Sequence, residues 1–93
     1  MNSEADDQDF KAATEQILNV KRIHEEELLA KPNVVGVGIG FRHWEGLPTE
    51  SLALVVMVTK KIPQRLLAPE DIIPISIEGI PIDVQEVGEI SAQ

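Results

Sequence analysis

The sequence predicts an α+β domain in which one long N-terminal helix packs on a small, mostly antiparallel sheet of four strands. Three observations carry this prediction. Apolar residues recur at helical spacing in the N-terminal third, two strand-like segments follow directly, and two shorter strands come after a proline-rich link. The expected order is helix-β-β-short helix-β-β, within a single domain that covers residues 1–93.

The helix is predicted over residues 8–30, after a polar start over residues 1–7 that we expect to be disordered. Pro32 ends the helix, because proline disfavours helical conformation in the residue before it. Two apolar patterns are present. A heptad seam contains Phe10, Ala13, Ile17, Val20, His24 and Glu27. A broader stripe fits better and contains Phe10, Ile17, Leu18, Val20, Ile23, Leu28 and Leu29. A short coiled coil is the alternative to packing on a sheet.

The first strand is predicted over residues 33–42, NVVGVGIGFR, within a sheet region that extends over residues 33–87. Strand alternation gives it one bulky face and one bare face. The bulky face carries Val35, Val37, Ile39 and Phe41. The bare face carries Val34, Gly36, Gly38 and Gly40. Glycine weakens a strand, so three in alternation indicate the close approach of another backbone or of a ligand.

The second strand is predicted over residues 51–60, SLALVVMVTK, after a turn-like loop at 43–50 that contains Gly46 and Pro48. It is apolar on both faces, which is typical of a strand that is buried on both sides. A hairpin with the first strand is the simplest pairing.

The C-terminal third is predicted to contain short helical turns and a second hairpin. Prolines can begin helical turns near residues 64–68 and 70–72. Glu78-Gly79 then predicts a two-residue turn between strands at 75–77 and 80–87. Residues 88–93 are expected to be a loose tail.

The composition disfavours several classes of function. A net charge of −8 argues against nucleic acid and anionic membranes as partners. The chain has no cysteine, hence no disulfide and no thiolate nucleophile or ligand. No apolar run reaches the roughly 18 residues of a membrane span, and the acidic N-terminus is unlike a signal peptide, so we expect a cytoplasmic location.

No motif predicts catalysis or a bound cofactor. The GxGxG pattern lies inside a strand with no helix after it, whereas phosphate sites need glycines in the turn before a helix. His24 and Glu27 share a helix face, but even with His43 they supply few metal ligands, and a solvated histidine is the favoured interpretation. Ser3, Ser51, Ser76 and Ser91 are not in a nucleophile elbow. We therefore expect no enzyme, no metal and no cofactor.

Residues 27–88 also carry a family resemblance. The matching blocks are KPNVVGVGIG at 31–40, the strand end VTKK at 58–61, and PEDIIP at 69–74 followed by IEGIPIDVQEVG at 77–88. This pattern resembles a segment at the N-terminus of some bacterial trypsin-like serine peptidases of the chymotrypsin fold and of related uncharacterised proteins. The resemblance implies a stand-alone accessory domain without the catalytic domain, and it transfers no catalytic role to any residue.

The leading functional hypothesis is a non-enzymatic protein-interaction or assembly module. Its partner would be a second copy in a homodimer, or another protein, with a peptidase as one candidate, since one helix leaves a sheet face uncovered. The predicted interface contains Gly36, Gly38, Gly40, Ala53, Val55, Met57 and Trp44. The alternative is a small-ligand-binding domain that uses the glycine-lined face. A metal-dependent enzyme centred on His24 and His43 is a third hypothesis.

Overall fold

The structure, a computed structural model, describes residues 4–88. It contains the helix α1 (Glu4–Leu29) and the strands β1 (Val34–Trp44), β2 (Leu47–Val58), β3 (Ser76–Ile77) and β4 (Ile80–Glu86). The four strands form one sheet in the order β1-β2-β4-β3. The β1–β2 and β3–β4 pairs are antiparallel and the β2–β4 pair is parallel. The predicted α+β class is therefore confirmed.

The start of α1 and the helical turns of the link are of the predicted kind, but their bounds differ from the predicted ones. α1 begins at Glu4 and so includes residues 4–7 of the stretch expected to be disordered. Residues 1–3 and 89–93, where the rest of that expectation and most of the predicted loose tail fall, lie outside the described residues. The two helical turns of the link are 3₁₀ turns at Gln64–Leu66 and Pro69–Asp71.

The hydrophobic core lies between α1 and one face of the sheet. The helix contributes Ile17, Val20 and Leu28, and β2 contributes every second residue from Leu54 to Val58. The broader helical stripe describes the core face only in part: Ile17, Val20 and Leu28 are buried, whereas Phe10, Leu18, Ile23 and Leu29 are exposed. The heptad seam contributes Ile17 and Val20 to the core, but its Phe10 is exposed and the buried Leu28 is not part of it. A narrow sheet touches only one side of a helix, so the flanking apolar residues stay in solvent.

The β1–β2 hairpin has a much shorter turn than predicted. The expected loop at 43–50 is wrong: β1 continues to Trp44, β2 starts at Leu47, and only Glu45-Gly46 lies between them. Both turn residues have positive φ, 53° and 81°, which is the conformation that matches the twist of two-residue hairpins. Glu78-Gly79 adopts the same conformation in the second hairpin, as predicted.

A bulge near the start of β1 changes which residues face the core. Val34 pairs with Val58 and Gly36 pairs with Met57, so Val35 is an extra residue in the ladder. An extra residue reverses the alternation of faces. Val34 therefore packs against the core and Val35 is exposed, the opposite of the prediction from simple alternation.

Candidate functional site

The glycine-lined face of β1 is packed by side chains of the neighbouring strand. Gly36, Gly38 and Gly40 lie opposite Met57, Val55 and Ala53 on β2. A Cβ built on Gly36 would lie 2.8 Å from Cε of Met57, and one on Gly40 would lie 3.2 Å from Cγ2 of Val55. These two glycines thus leave room for side chains that lean across from β2. Ala53 and Val55 are buried, so much of the predicted interface is not open surface.

The end of the β1–β2 hairpin contacts a side chain on the glycine-lined face of the sheet, that of Asp83 on β4. Strands lie about 4.8 Å apart, so β1 and β4, which flank β2, would be roughly 10 Å apart in a flat sheet. Yet the backbone N–H of His43 donates a hydrogen bond to Oδ2 of Asp83 on β4, at 3.0 Å. A second irregularity lies at this end of the hairpin: between the Phe41–Leu52 and His43–Pro48 pairs, β2 has two more residues than β1, and such a bulge bends and twists the hairpin.

Three side chains hold the hairpin end in place, and we call them the polar anchor: His43, Asp83 and Gln85. Nδ1 of His43 lies 3.2 Å from Oδ2 of Asp83 and 2.9 Å from Nε2 of Gln85. Nε2 of Gln85 also donates to Oδ2 of Asp83, at 2.9 Å. Nδ1 donates to Asp83 in one imidazole tautomer and accepts from Gln85 in the other, so each tautomer keeps one of these contacts.

The polar anchor also shifts the pKa of the Asp83 carboxyl. Partial burial acts to raise its pKa, but hydrogen bonds from Gln85 and from the backbone and ring of His43 outweigh that effect. The pKa of Asp83 therefore lies below its ordinary value of 3.8. Because these bonds favour the ionised carboxylate, they stabilise the fold above this pH, and the stabilisation is lost as the pH falls through the lowered pKa.

Asp83→Ala is therefore expected to destabilise the domain by about 1–3 kcal/mol, since it removes a carboxylate that accepts hydrogen bonds from the backbone N–H of His43 and from Gln85. Urea unfolding at neutral pH measures the loss. The difference from the parent should shrink as the solution is acidified below pH 3.8, where the parent carboxyl begins to take up a proton. Glu50→Gln, on the exposed part of the same hairpin, is the control that should change little. Unchanged stability of Asp83→Ala at neutral pH would contradict the anchoring role.

Beyond the anchor, the hairpin tip exposes an aromatic and cationic group of side chains, which we call the tip cluster: Arg42, Trp44 and Leu47. Trp44 and Leu47 pair directly across the hairpin and are 61% and 69% exposed. The guanidinium of Arg42 lies 5.2 Å from the centre of the Trp44 ring, within cation–π range. Of the predicted interface residues, Trp44 is thus the one that the structure presents most openly.

The second histidine serves a different contact. Nε2 of His24 on α1 lies 2.8 Å from a carboxylate oxygen of Glu78, in the β3–β4 turn, and Nδ1 lies 3.6 Å from Glu27. The hydrogen bond with Glu78 raises the pKa of His24 above 6.5, against partial desolvation, and Glu27 adds to the effect. This link between helix and turn is strongest below pH 6.5 and is lost as the pH rises through the raised pKa.

The predicted metal and nucleophile candidates do not converge. His24 contacts the β3–β4 turn and His43 contacts β4, so the structure does not bring the two histidines together. Within residues 4–88, no group of three or more histidine or acidic side chains is placed to hold a metal ion. Ser51 and Ser76 are not bonded to either histidine in this part of the chain, and Ser3 and Ser91 lie outside it.

Sequence reasoning missed four residues of this region: Arg42, Leu47, Asp83 and Gln85. A signal for two of them was present, because Asp83 and Gln85 alternate with Ile82 and Val84 and so share the sheet face opposite the core. Arg42 and Leu47 had no comparable signal. These two residues come together only across the two-residue turn at Glu45-Gly46, whereas the sequence predicts a longer loop there.

The fold and this surface define a small α+β domain that carries an anchored hairpin with an exposed aromatic tip. Residues 11–87 match the NARROW LEAF 1 N-terminal domain, so the chain belongs to that family. A search of curated proteins finds no match. The resemblance to a segment of bacterial trypsin-like peptidases is wrong, since the family match is to this other domain and nothing found indicates such a peptidase. The suggested peptidase partner loses its basis with that resemblance.

Proposed function

We propose that this domain is a non-enzymatic protein-interaction module that binds a partner protein through the tip cluster. The observation that carries the proposal is the exposure of Trp44 beside Arg42 and Leu47 at the end of an anchored hairpin. Tryptophan and arginine are among the residues that are enriched at the energetic centres of protein interfaces. A large apolar side chain gains free energy when a partner removes it from water.

The polar anchor supports the same proposal, because it lowers the entropy cost of binding a partner. Binding is weakened by the cost of ordering flexible segments, and a loop that is already held in its bound shape avoids part of that cost. Here His43 lies next to Trp44 in β1 and is bonded to Asp83 and Gln85 on β4. The tip is thus fixed to the body of the domain before any partner arrives.

The charge of the chain narrows the kind of partner. With a net charge of −8, the domain repels polyanions, so we propose a protein with an apolar pocket for Trp44 rather than nucleic acid or an anionic membrane. No helix within residues 4–88 combines the length and the apolar character that crossing a membrane requires. A cytoplasmic location is part of this proposal.

The small-ligand alternative on the glycine face has less support. Side chains of Met57 and Val55 lie over Gly36 and Gly40, and the anchored hairpin end approaches the same face. A ligand there would have to displace both. The three alternating glycines of β1 are better explained by the packing of side chains within the sheet.

The test compares the proteins that the parent and two variants retain in matched pull-downs. Immobilised Trp44→Ala/Leu47→Ser protein should lose the partners that the parent retains from a lysate of its own organism. Leu66→Ser is the control, because Leu66 is also exposed but lies in the link, away from the tip. Circular dichroism checks that both variants are folded, as expected for substitutions of exposed residues, which usually change stability by less than about 0.5 kcal/mol.

A second readout uses the intrinsic fluorescence of the chain. Trp44 is its only tryptophan, so burial of the tip in a partner should shift the emission to shorter wavelength. Partner binding with no change in emission, or with full retention by the Trp44→Ala/Leu47→Ser protein, would contradict the proposed site.

Stoichiometric labelling of any serine by a fluorophosphonate probe would contradict the non-enzymatic part of the proposal.

A further inference from the structure

A side of α1 that faces neither the sheet nor the β3–β4 turn carries a row of four residues, which we call the outer stripe: Leu18, Arg22, Glu25 and Leu29. Their spacing of four, three and four residues places them along one side of the helix. Leu18 and Leu29 are both about half exposed. A shallow groove runs between them, and among the described residues it is lined by α1 alone. His24, which meets Glu78, lies on another side of the helix.

The outer stripe is complementary to itself. If a second copy of the helix runs antiparallel and the two-fold axis passes between residues 23 and 24, Leu18 faces Leu29 of the other copy. In the same arrangement Arg22 faces Glu25, and by symmetry Glu25 faces Arg22. A parallel arrangement would instead place like charges together, Arg22 against Arg22 and Glu25 against Glu25. Only the antiparallel order satisfies both the apolar ends and the charged centre.

The charged residues of the outer stripe are free to form such pairs. Arg22 donates a hydrogen bond to Oδ1 of Asn19, and Glu25 pairs with Lys21, both within the same helix. Neither is tied to the sheet. Short ion pairs along one helix contribute little, so exchanging or sharing them with a second copy costs little.

We propose that two copies of this chain associate through the outer stripes of their α1 helices, in an antiparallel pair. This inference goes beyond the proposed partner-binding function, because it uses a different surface and leaves both tip clusters exposed. It also gives the expected homodimer a place other than the glycine face, which the chain's own side chains occupy. The contact involves few residues, so the pair should form in the micromolar range or weaker.

The test is a charge-exchange experiment read by sedimentation velocity over a series of concentrations. The parent should move from 10.2 kDa towards twice that mass as the concentration rises. Arg22→Glu and Glu25→Arg should each weaken self-association by about tenfold or more, because each places like charges face to face. The double variant Arg22→Glu/Glu25→Arg should regain it. An equimolar mixture of the two single variants should also form a mixed dimer, since every charge pair is then restored.

Three further variants separate this surface from others. Leu18→Asp should abolish the dimer, whereas Ile23→Asp should keep it, because Ile23 is similarly exposed but lies on another side of α1. Trp44→Ala should keep it as well, which distinguishes a failure of this proposal from a failure of the partner-binding proposal. The proposal is overturned by a parent that stays at 10.2 kDa at every concentration, by single variants that dimerise normally, or by loss of the dimer in Ile23→Asp.

Discussion

Ile17→Asp is expected to unfold the domain or to leave it only marginally folded. Ile17 is 2% exposed and belongs to the cluster that joins α1 to the sheet. An aspartate there must either lose its hydration without a partner or take up a proton, and both cost free energy. We expect a loss of about 4 kcal/mol or more, against a total stability of roughly 5–15 kcal/mol for a domain of this size.

Thermal and urea unfolding followed by circular dichroism measure this loss. Ile23→Asp is the matched control, since it makes the same substitution six residues further along the same helix at a side chain that is 56% exposed. It should melt within a few degrees of the parent. If Ile17→Asp melted like Ile23→Asp, the assignment of the core face of α1 would be wrong.

Leu54→Ala should produce the second large loss, about 2–5 kcal/mol, by opening a cavity at the centre of the core. Leu54 is 0% exposed, and it pairs with Ile39 on β1 and with Ile82 on β4. Neighbours on both sides are held in sheet ladders, so they cannot collapse far into the space. The cost should therefore lie in the upper part of that range.

Urea unfolding measures the lost stability. If the slope of the unfolding free energy against urea concentration is unchanged, the loss can be assigned to the folded state. Leu66→Ala is the control, because it removes the same atoms from a side chain in the link that is exposed to solvent. A Leu54→Ala variant as stable as the Leu66→Ala variant would mean that β2 is not the centre of the core.

The sequence was sufficient for the elements whose signals are local. Helical spacing predicted α1, and continuous apolarity predicted β2 as a buried strand. Glu78-Gly79 predicted the second hairpin. The same dipeptide occurs at Glu45-Gly46, but Gly46 and Pro48 together predicted a longer loop at 43–50. Proline is tolerated near the start of β2, opposite His43, where the hairpin is exposed.

The features that the sequence left undetermined depend on contacts between distant residues. The bulge at Val35 has no signature in a run of alternating valine and glycine, and it reversed the predicted faces of Val34 and Val35. The contact of His43 with Asp83 joins residues 40 positions apart and lies beside the second irregularity in the register of the hairpin. The surroundings of Trp44 depend on that irregularity and on the short turn, so the sequence predicted Trp44 but not its neighbours.

The position of β4 in the sheet has a consequence for synthesis of the chain. β4 is the last strand in sequence among residues 4–88, yet it lies between β2 and β3. A nascent chain that has left the ribosome as far as Val58 can form α1 and the first hairpin, but the inner edge of β2 then lacks its neighbour. The core cannot close until Ile80 and Ile82 emerge, since both belong to it. Closure of the core therefore waits for β4, and the apolar edge of β2 is exposed to chaperones and to aggregation during that interval.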